Sequence, residues 1–343
     1  MSVDAPDLLR LVPLDRLGPA IGEATGEPAW LHAEVGLISG GKSNLTFLLS
    51  SAAGEMILRR PPTGELLRSA HDMVREARVQ AALADTKVPV ARIVLADPGE
   101  LIGIQCYVMD KVPGHVIRGN LPQDYAQTPA EREALSHAFV DTLAELHAVD
   151  PDTVGLGDYG RPEGFMARQV RRWNSQWRAS ASHEVAEIDE LAQRLAATVP
   201  QQQRATIVHG DYRLDNVVLD TADPSRINAV LDWELSTLGN PLTDVALLSL
   251  FWIGPGERRL SLIPGVTHLP GFPTREQMLQ RYAATSGADL ADMAWYEAFA
   301  HFKFAVIAQG VQARARAGAM GGQDFGDLDD EILHLGRTGL VLL

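Results

Sequence analysis

The sequence has one cysteine, few aromatic residues and no long apolar run. Cys106 alone cannot form a disulfide within the chain, which excludes the disulfide framework of small secreted proteins. The longest apolar stretch, residues 245–253, is interrupted by Ser249 and is far shorter than the roughly 20 residues of a membrane-spanning helix. The first residues carry acidic side chains where a secretory signal carries basic ones. These absences predict a cytoplasmic protein that does not associate with membranes.

Positive charge is also scarce. The 343 residues include 30 lysines and arginines against 44 acidic residues, a net charge of −14. Such a charge repels nucleic acid and anionic membranes, so neither is an expected partner, and a phosphate-bearing ligand needs a local cluster of positive or amide groups. The length and a hydrophobic fraction of 46% suffice for two lobes with their own cores.

The most informative residues lie between positions 207 and 234. Asp211 and Asn216 follow one apolar run, and Asp232 ends the next. Phosphoryl transfer from a nucleotide needs a carboxylate that orients the attacking hydroxyl and accepts its proton, together with oxygen ligands that hold magnesium against the phosphates. We therefore predict that Asp211 is the catalytic base and that Asn216 and Asp232 are magnesium ligands.

The motifs around these residues are similar to those of one kinase family. His-Gly-Asp at 209–211, followed by Asn216, resembles the catalytic loop of aminoglycoside phosphotransferase-like kinases. Leu-Asp-Trp-Glu at 231–234 resembles the segment that these enzymes have in place of Asp-Phe-Gly. The longer string through Asp244 is similar to kinase-like domains found alone in bacteria or fused to acyl-CoA dehydrogenases. The resemblance implies an α+β, two-lobed, protein-kinase-like fold, with a small antiparallel-sheet lobe and a mostly helical lobe.

The order of predicted elements agrees with that fold. Strand-like runs cover 33–38, 45–51, 55–60, 92–96 and 101–109, with helical spacing over 69–83. Because Pro113-Gly114 punctuates the chain after the last strand, we predict an N-terminal lobe at 1–109, a hinge at 110–114 and a C-terminal lobe at 115–343.

Helix signals dominate the second lobe. Capping boxes beginning at Thr128 and Thr274 predict two helix starts, and apolar spacing predicts a buried helix over 289–318. We expect Asp244 to cap a helix and brace the catalytic loop, and His209 to have a structural role.

Candidate nucleotide contacts lie in the first lobe. The glycine-rich turn at 39–44 can close its amides over phosphates, although a Gly-Gly pair is equally explained as a simple hairpin turn. In the kinase resemblance, Arg59 replaces the strand lysine and pairs with Glu76, while adjacent Arg60 is expected at the surface. The resemblance also places the base beside the strand end at 107–109. The predicted nucleotide-binding residues are Gly40, Gly41, Lys42, Ser43, Asn44, Arg59, Glu76, Tyr107 and Met109.

The acceptor is predicted from a basic, aromatic helix. Arg168, Arg172 and Trp173 are candidate acceptor contacts together with Glu234, although a solvated amphipathic helix explains the same pattern equally well. Arginines attract carboxylates and phosphates. With the resemblance to dehydrogenase-linked domains, this favours an acyl-linked or anionic alcohol such as a hydroxyacyl-CoA. The acidic residues at 324–331 favour the alternative, an aminoglycoside or amino alcohol.

The sequence thus predicts a magnesium-dependent phosphotransferase that moves the γ-phosphate of ATP or GTP to a hydroxyl of a small metabolite. A hypothesis of another class is a catalytically silent nucleotide-binding module, which the arginine at position 59 suggests. The intact set of Asp211, Asn216 and Asp232 favours the enzyme.

Overall fold

The structure is a computed structural model that describes residues 5–38, 44–62, 72–202, 204–263, 265–318 and 326–343. The chain folds into two compact units. The first comprises residues 1–113 and 228–236, and the second comprises residues 114–227 and 237–343. None of the helices in the described ranges has the length and apolarity needed to cross a membrane.

The first unit is built on a five-stranded antiparallel sheet. Its strands are β1 Glu34–Leu37, β2 Leu45–Ser51, β3 Gly54–Arg60, β4 Ile93–Asp97 and β5 Cys106–Asp110, in the spatial order β1-β2-β3-β5-β4. Its helices are α1 Ala5–Leu11, α2 Leu14–Thr25 and α3 Met73–Leu83. The predicted helix start at Ser69 lies outside the described residues. Within them, the Asp72 side chain caps α3 by accepting a hydrogen bond from the Arg75 N–H.

The two faces of this sheet carry different neighbours because side chains alternate along a strand. Phe47 and Leu58 lie in one buried cluster with Leu17 of α2. Ile57 and Tyr107 lie in another cluster with Met73 of α3. The strand period therefore turns every second residue of β3 toward α3.

Two sequence expectations differ from the structure. Strand β5 begins at Cys106 because the preceding residues form a turn, in which Asp97 Oδ1 accepts hydrogen bonds from the N–H groups of Gly99 and Glu100. Arg60 is buried, whereas a surface position was expected. Its Nη1 donates to the carbonyl oxygen of Leu11 at 2.7 Å, which gives the guanidinium an internal acceptor.

The second unit is mostly helical. Its helices are α4 Pro129–Ala148, α5 Phe165–Ser180, α6 Ala186–Ala197, α7 Leu242–Phe251, α8 Arg275–Ser286, α9 Met293–Arg316 and α10 Asp329–Leu342. Its short strands are β6 Thr206–Val208, β7 Val217–Leu219 and β9 Thr237–Gly239, of which β6 and β9 pair antiparallel. The strand β8 Ile227–Val230 begins at the last residue before the chain returns to the first unit. Both predicted capping boxes are present at the starts of α4 and α8.

Residues 228–236 belong to the first unit although they follow the first segment of the second unit in sequence. The Val230 N–H donates to the carbonyl oxygen of Pro89 at 2.8 Å. The Asn228 Nδ2 donates to the carbonyl oxygen of Pro113 at 3.0 Å. The first unit is therefore assembled from two separate stretches of the chain.

Candidate active site

In the first unit, Arg59 lies between two carboxylates. Its Nη1 is 2.7 Å from Glu76 Oε1, and its Nη2 is 3.0 Å from Asp232 Oδ1. The alternation of β3 turns Arg59 toward α3, and Glu76 lies in the first turn of that helix. The ion pair predicted between Arg59 and Glu76 is therefore present, and Asp232 completes a three-residue cluster.

Burial and charge act against each other in this cluster. Arg59 is 9% exposed and Glu76 is 1% exposed. Burial disfavours the charged guanidinium, but attraction to Tyr107, Glu76 and Asp232 outweighs it and raises the pKa of Arg59. Burial raises the pKa of Glu76 to about 7 against the effect of Arg59, and the nearby Asp232 and Glu234 raise it further. The cluster thus has an excess of carboxylates over cations.

Asp232 has an unusual backbone. Its φ of 63° and ψ of 64° lie in the left-handed region, which aspartate and asparagine tolerate better than other non-glycine residues. It follows β8 and precedes a 3-10 helix, Trp233–Leu235, whose Trp233 is anchored by a hydrogen bond from Nε1 to the Val230 carbonyl oxygen. Its side chain is 33% exposed, so a carboxylate held by Arg59 remains accessible to a ligand.

The other predicted residues of the first unit have different surroundings. Asn44 Nδ2 donates to Glu234 Oε2 at 3.2 Å. The Tyr107 ring is fully buried, and its hydroxyl accepts a hydrogen bond from Gln80 Nε2 at 3.3 Å. The Tyr107 side chain is therefore not accessible to a ligand. Met109 is buried near Ile57 on the α3 face. The predicted phosphate-turn residues Gly40, Gly41, Lys42 and Ser43 lie outside the described residues.

In the second unit, the loop at 209–216 brings Asp211 and Asn216 into contact. Asn216 Nδ2 donates to the Asp211 carbonyl oxygen at 2.8 Å and to its Oδ2 at 3.1 Å. Asn216 is 6% exposed, whereas the Asp211 side chain is 29% exposed. The amide thus orients a carboxylate that remains open to solvent.

Arg213 is a neighbour of Asp211 that the sequence interpretation missed. Its Nε is 3.3 Å from Asp211 Oδ2 and 3.2 Å from Asp215 Oδ1. Its guanidinium carbon is 6.0 Å from the centroid of the Phe251 ring. In the sequence, Arg213 is marked only by its position two residues after the His-Gly-Asp motif. That position does not reveal which carboxylates Arg213 contacts.

Asp244 braces the loop, as expected, but does not cap a helix. It accepts hydrogen bonds from the N–H groups of His209 and Gly210, at 2.6 and 2.8 Å. Helix α7 begins at Leu242, whose N–H donates to Asn240 Oδ1. The capping prediction was therefore wrong, because Asn240 supplies the acceptor before Asp244 is reached.

Asp244 is fully buried, and its partners keep it ionised. Its Oδ2 is 3.2 Å from His147 Nε2. Burial alone would raise the pKa of Asp244, but the hydrogen bond and charge of His147, with the contribution of His209, hold it below its ordinary value. His209 also accepts a hydrogen bond at Nδ1 from the Asp211 N–H and packs edge-on against Tyr212. These contacts support the structural role expected of His209.

The predicted acceptor residues do not form one cluster. Arg168 donates to the carbonyl oxygens of Arg161 and Glu163, so its guanidinium holds the turn before α5. Arg172 and Lys303 lie near the face of Trp173, with charged atoms 5.9 and 5.6 Å from the ring centroid. Lys303, on α9, was not identified from sequence because its neighbours are apolar.

The acidic residues near the C-terminus have partners within the chain. Arg316 Nη2 is 3.8 Å from Asp327 Oδ1 and 3.5 Å from Asp329 Oδ2. Asp329 and Asp330 lie in the first turn of α10, where the helix dipole favours negative charge. Asp324 lies outside the described residues.

Comparisons with known proteins agree with this architecture. Residues 34–298 match the model of the phosphotransferase enzyme family APH. A proposed aminoglycoside phosphotransferase from Ralstonia eutropha JMP134 is 33% identical, with a TM-score of 0.77 and coverage of 90% of this chain and 92% of that one. Acyl-CoA dehydrogenase family member 11 of Rattus norvegicus is 38% identical over 310 residues, which are 88% of this chain and 39% of that protein. The chain thus spans about two fifths of the length of this relative.

A more distant structure shares the fold. A thermostable mutant of aminoglycoside phosphotransferase APH(4)-Ia, in a ternary complex with ADP and hygromycin B, is 14% identical with a TM-score of 0.59, and the match covers 95% of this chain and 98% of that one. The α+β, two-lobed, kinase-like fold expected from the motifs is confirmed. On the extent of the family match and its identity to the Ralstonia protein, the chain belongs to the APH phosphotransferase enzyme family.

Proposed function

We propose that the protein is a magnesium-dependent kinase that transfers the γ-phosphate of ATP or GTP to a hydroxyl group of a small metabolite. The observation that carries the proposal is the contact between Asn216 and Asp211, which orients an accessible carboxylate on a loop braced by Asp244. A family phosphotransferase needs such a carboxylate as its base.

Asp211 would act on the acceptor. The acceptor hydroxyl oxygen forms a bond to the γ-phosphorus, the bond from that phosphorus to the bridging oxygen breaks, and the nucleoside diphosphate leaves. The hydroxyl proton goes to the Asp211 carboxylate. Catalysis consists of positioning and charge neutralisation, with no covalent enzyme intermediate.

Asp232 and Asn216 are the proposed magnesium ligands. Asp232 Oδ1 is engaged by Arg59, while the two carboxylates of Glu76 and Asp232 face the single cation Arg59, which favours an additional cation. Asn216 uses its amide nitrogen toward Asp211, so its carbonyl oxygen is the atom suited to a metal. No group of three acidic, histidine or cysteine side chains in the described ranges would hold a metal alone. Nucleotide phosphates would therefore share the ion, whose charge stabilises the transferring phosphoryl group.

Nucleotide phosphates are the proposed ligands of Arg59. The Arg59 guanidinium keeps the ion pair with a helix glutamate that the strand lysine makes in other kinases, and Asp232 also holds it. Arginine at this position is therefore compatible with catalysis and does not imply a catalytically silent nucleotide-binding module. Asn44 is proposed to complete the phosphate site, together with residues 40–43 of the glycine-rich turn predicted from the sequence. The distant relative crystallised with ADP supports a nucleotide co-substrate.

The proposed acceptor is an acyl-linked or anionic alcohol, such as a hydroxyacyl-CoA. Trp173 with the nearby cations Arg172 and Lys303 offers an aromatic and positively charged surface, which attracts anions and repels polyamines. Asp327 and Asp329 are engaged by Arg316, which weakens the alternative of an aminoglycoside. Similarity to a protein named for acyl-CoA dehydrogenase also favours the acyl-linked class.

A kinase assay across hydroxyacyl-CoAs, free hydroxy acids, aminoglycosides and choline-like amines tests this choice. We expect phosphorylation of an acyl-linked or anionic alcohol, because its negative charge is attracted by Arg172. The product is measured by mass spectrometry, with the Asp211→Asn variant as a control for each acceptor. Efficient phosphorylation of an aminoglycoside, with no transfer to any acyl-linked or anionic alcohol, would refute the proposed class.

Substitution of Arg59 tests the phosphate site. We expect Arg59→Ala to weaken nucleotide binding by at least about tenfold, since a charged phosphate contact is lost, and to destabilise the protein by about 3–5 kcal/mol, since Glu76 remains buried without its partner. Arg59→Lys is expected to keep part of both properties. Calorimetry of nucleotide binding and thermal unfolding measure the two effects separately.

The double variant Arg59→Met with Glu76→Leu is the matched control. Removing both buried charges should recover much of the stability, because the remaining carboxylate of Asp232 is 33% exposed and can be solvated, while nucleotide binding stays weak. Tight binding by the double variant would show that another cation contacts the phosphates.

A further inference from the structure

Lys303 is a half-buried cation, and the proposed chemistry does not use its contact with the catalytic loop. It projects from α9, between the buried residues Phe302 and Phe304. Burial lowers the pKa of Lys303, Arg172 lowers it further, and Asp211 and Asp244 act in the opposite direction. Burying a lysine is costly unless its ammonium group has specific partners. The partners of Lys303 therefore indicate why it is there.

The hydrogen-bond partner of Lys303 is the residue before Asp211. Its Nζ donates to the carbonyl oxygen of Gly210 at 3.0 Å. That carbonyl belongs to the peptide group whose N–H is contributed by Asp211 and donates to His209 Nδ1. Because a peptide group is planar, holding its carbonyl also fixes the direction in which the Asp211 backbone leaves it.

Gly210 is held on its other side by the opposite charge. Its N–H donates to Asp244 Oδ1 at 2.8 Å, and its φ of 84° lies in the left-handed region that glycine adopts most readily. An anionic side chain from α7 and a cationic side chain from α9 thus fix the two peptide groups that flank Gly210. Asp244 alone would fix one of them.

Trp173 lies beside this contact. The Lys303 Nζ is 5.6 Å from the centroid of its ring, a distance at which the aromatic face attracts a cation. Trp173 thus helps to retain the ammonium group next to the Gly210 carbonyl. The charged groups that face Lys303 are Asp211, Asp244 and Arg172.

We infer that Lys303 is a positioning residue for Asp211. It acts through the Gly210 carbonyl, which sets the peptide plane and thereby the orientation of the catalytic carboxylate toward the acceptor hydroxyl. The inference rests on the proposed function for the role of Asp211. Its effect on the loop is independent of that function, so the two can fail separately.

Lys303→Met tests the effect on the chemical step, because methionine keeps a similar length without charge or donors. We expect kcat to fall roughly 10- to 100-fold through misorientation of the base, while the KM for nucleotide changes less than about threefold, since positioning affects the reacting centre. The melting temperature should be unchanged or higher, because a desolvated charge is removed. Lys87→Met, at an exposed lysine, is the control and should match the wild type. The inference would be overturned by an unchanged kcat. It would also be overturned by a lower melting temperature together with a lower kcat and a correspondingly higher KM for nucleotide.

Two further measurements separate positioning from packing. In Lys303→Ala, added methylammonium or ethylammonium should restore part of kcat by occupying the vacated space, and no restoration by either amine at any concentration would contradict the inference. Amide hydrogen exchange in peptides covering 207–216 should accelerate in Lys303→Met and not in Lys87→Met. Unchanged exchange there would overturn the inference, whether or not the wild type phosphorylates an acceptor. If the wild type phosphorylates no acceptor, that result counts against the proposed function alone.

Discussion

The Asp211→Asn variant is expected to lose phosphoryl transfer by about 10³-fold, in the range of a lost general base, while its affinity for nucleotide stays within a few-fold. Asparagine has nearly the same shape and keeps an oxygen that can accept the hydrogen bond from Asn216. It cannot take the acceptor proton. Because the carboxylate is proposed to contact the acceptor rather than the nucleotide, binding and turnover should separate. Steady-state kinetics and nucleotide calorimetry on the same preparation measure both.

Asp215→Asn is the matched control for this experiment. Asp215 shares the Arg213 guanidinium with Asp211 at nearly the same distance, 3.2 Å against 3.3 Å. Its substitution therefore reproduces the change in charge around Arg213 but leaves the proposed base intact. Turnover within a few-fold of the wild type is expected for Asp215→Asn. Retention of most turnover by Asp211→Asn would remove that residue from the role of base.

The second large effect is expected at Asp232. Asp232→Ala should abolish the dependence of nucleotide binding on magnesium, because the proposed carboxylate ligand is lost while Arg59 keeps its contact with Glu76. Calorimetric titrations with and without magnesium are compared for wild type and variant. Equal magnesium dependence in the two proteins would show that Asp232 does not bind the ion.

Backbone strain at this position needs its own control. Alanine is less suited than aspartate to the left-handed conformation of Asp232. Asp124 has a similar φ of 59° and is exposed, so Asp124→Ala reports the effect of such a substitution without a change at the proposed metal site. We also expect Asp232→Asn to relieve the strain of the alanine variant yet to bind magnesium weakly, since its charge is lost.

Local patterns predicted much of the first unit. The strand and helix patterns located β3 and α3, and the kinase resemblance paired Arg59 with Glu76. In the second unit, the motif placed Asp211 and Asn216 five positions apart on one loop, but their hydrogen bond was not predicted. The elements could be located because a sequence pattern records their regular geometry directly.

Contacts between remote elements were not predictable in the same way. The bond from Lys303 to Gly210 joins residues 93 positions apart, and the pairing of Asp244 with His147 joins α7 to α4. A lysine among apolar helix residues has many possible surroundings, and its pattern in the sequence is the same in each. The start of α7 was misjudged for a smaller reason, since Asn240 competes with Asp244 as the source of a cap.

The division of the first unit into two stretches of chain constrains how the protein can be made and dissected. A ribosome synthesises residues 114–227 before it reaches the strand that contributes Val230, so the first unit cannot complete its contacts before much of the second has emerged. The two units therefore cannot fold strictly in the order of their synthesis, as consecutive domains commonly do. A fragment ending at residue 113 would keep the ion pair of Arg59 with Glu76 but lack Asp232. An isolated first unit would need residues 228–236 joined to it by a designed linker.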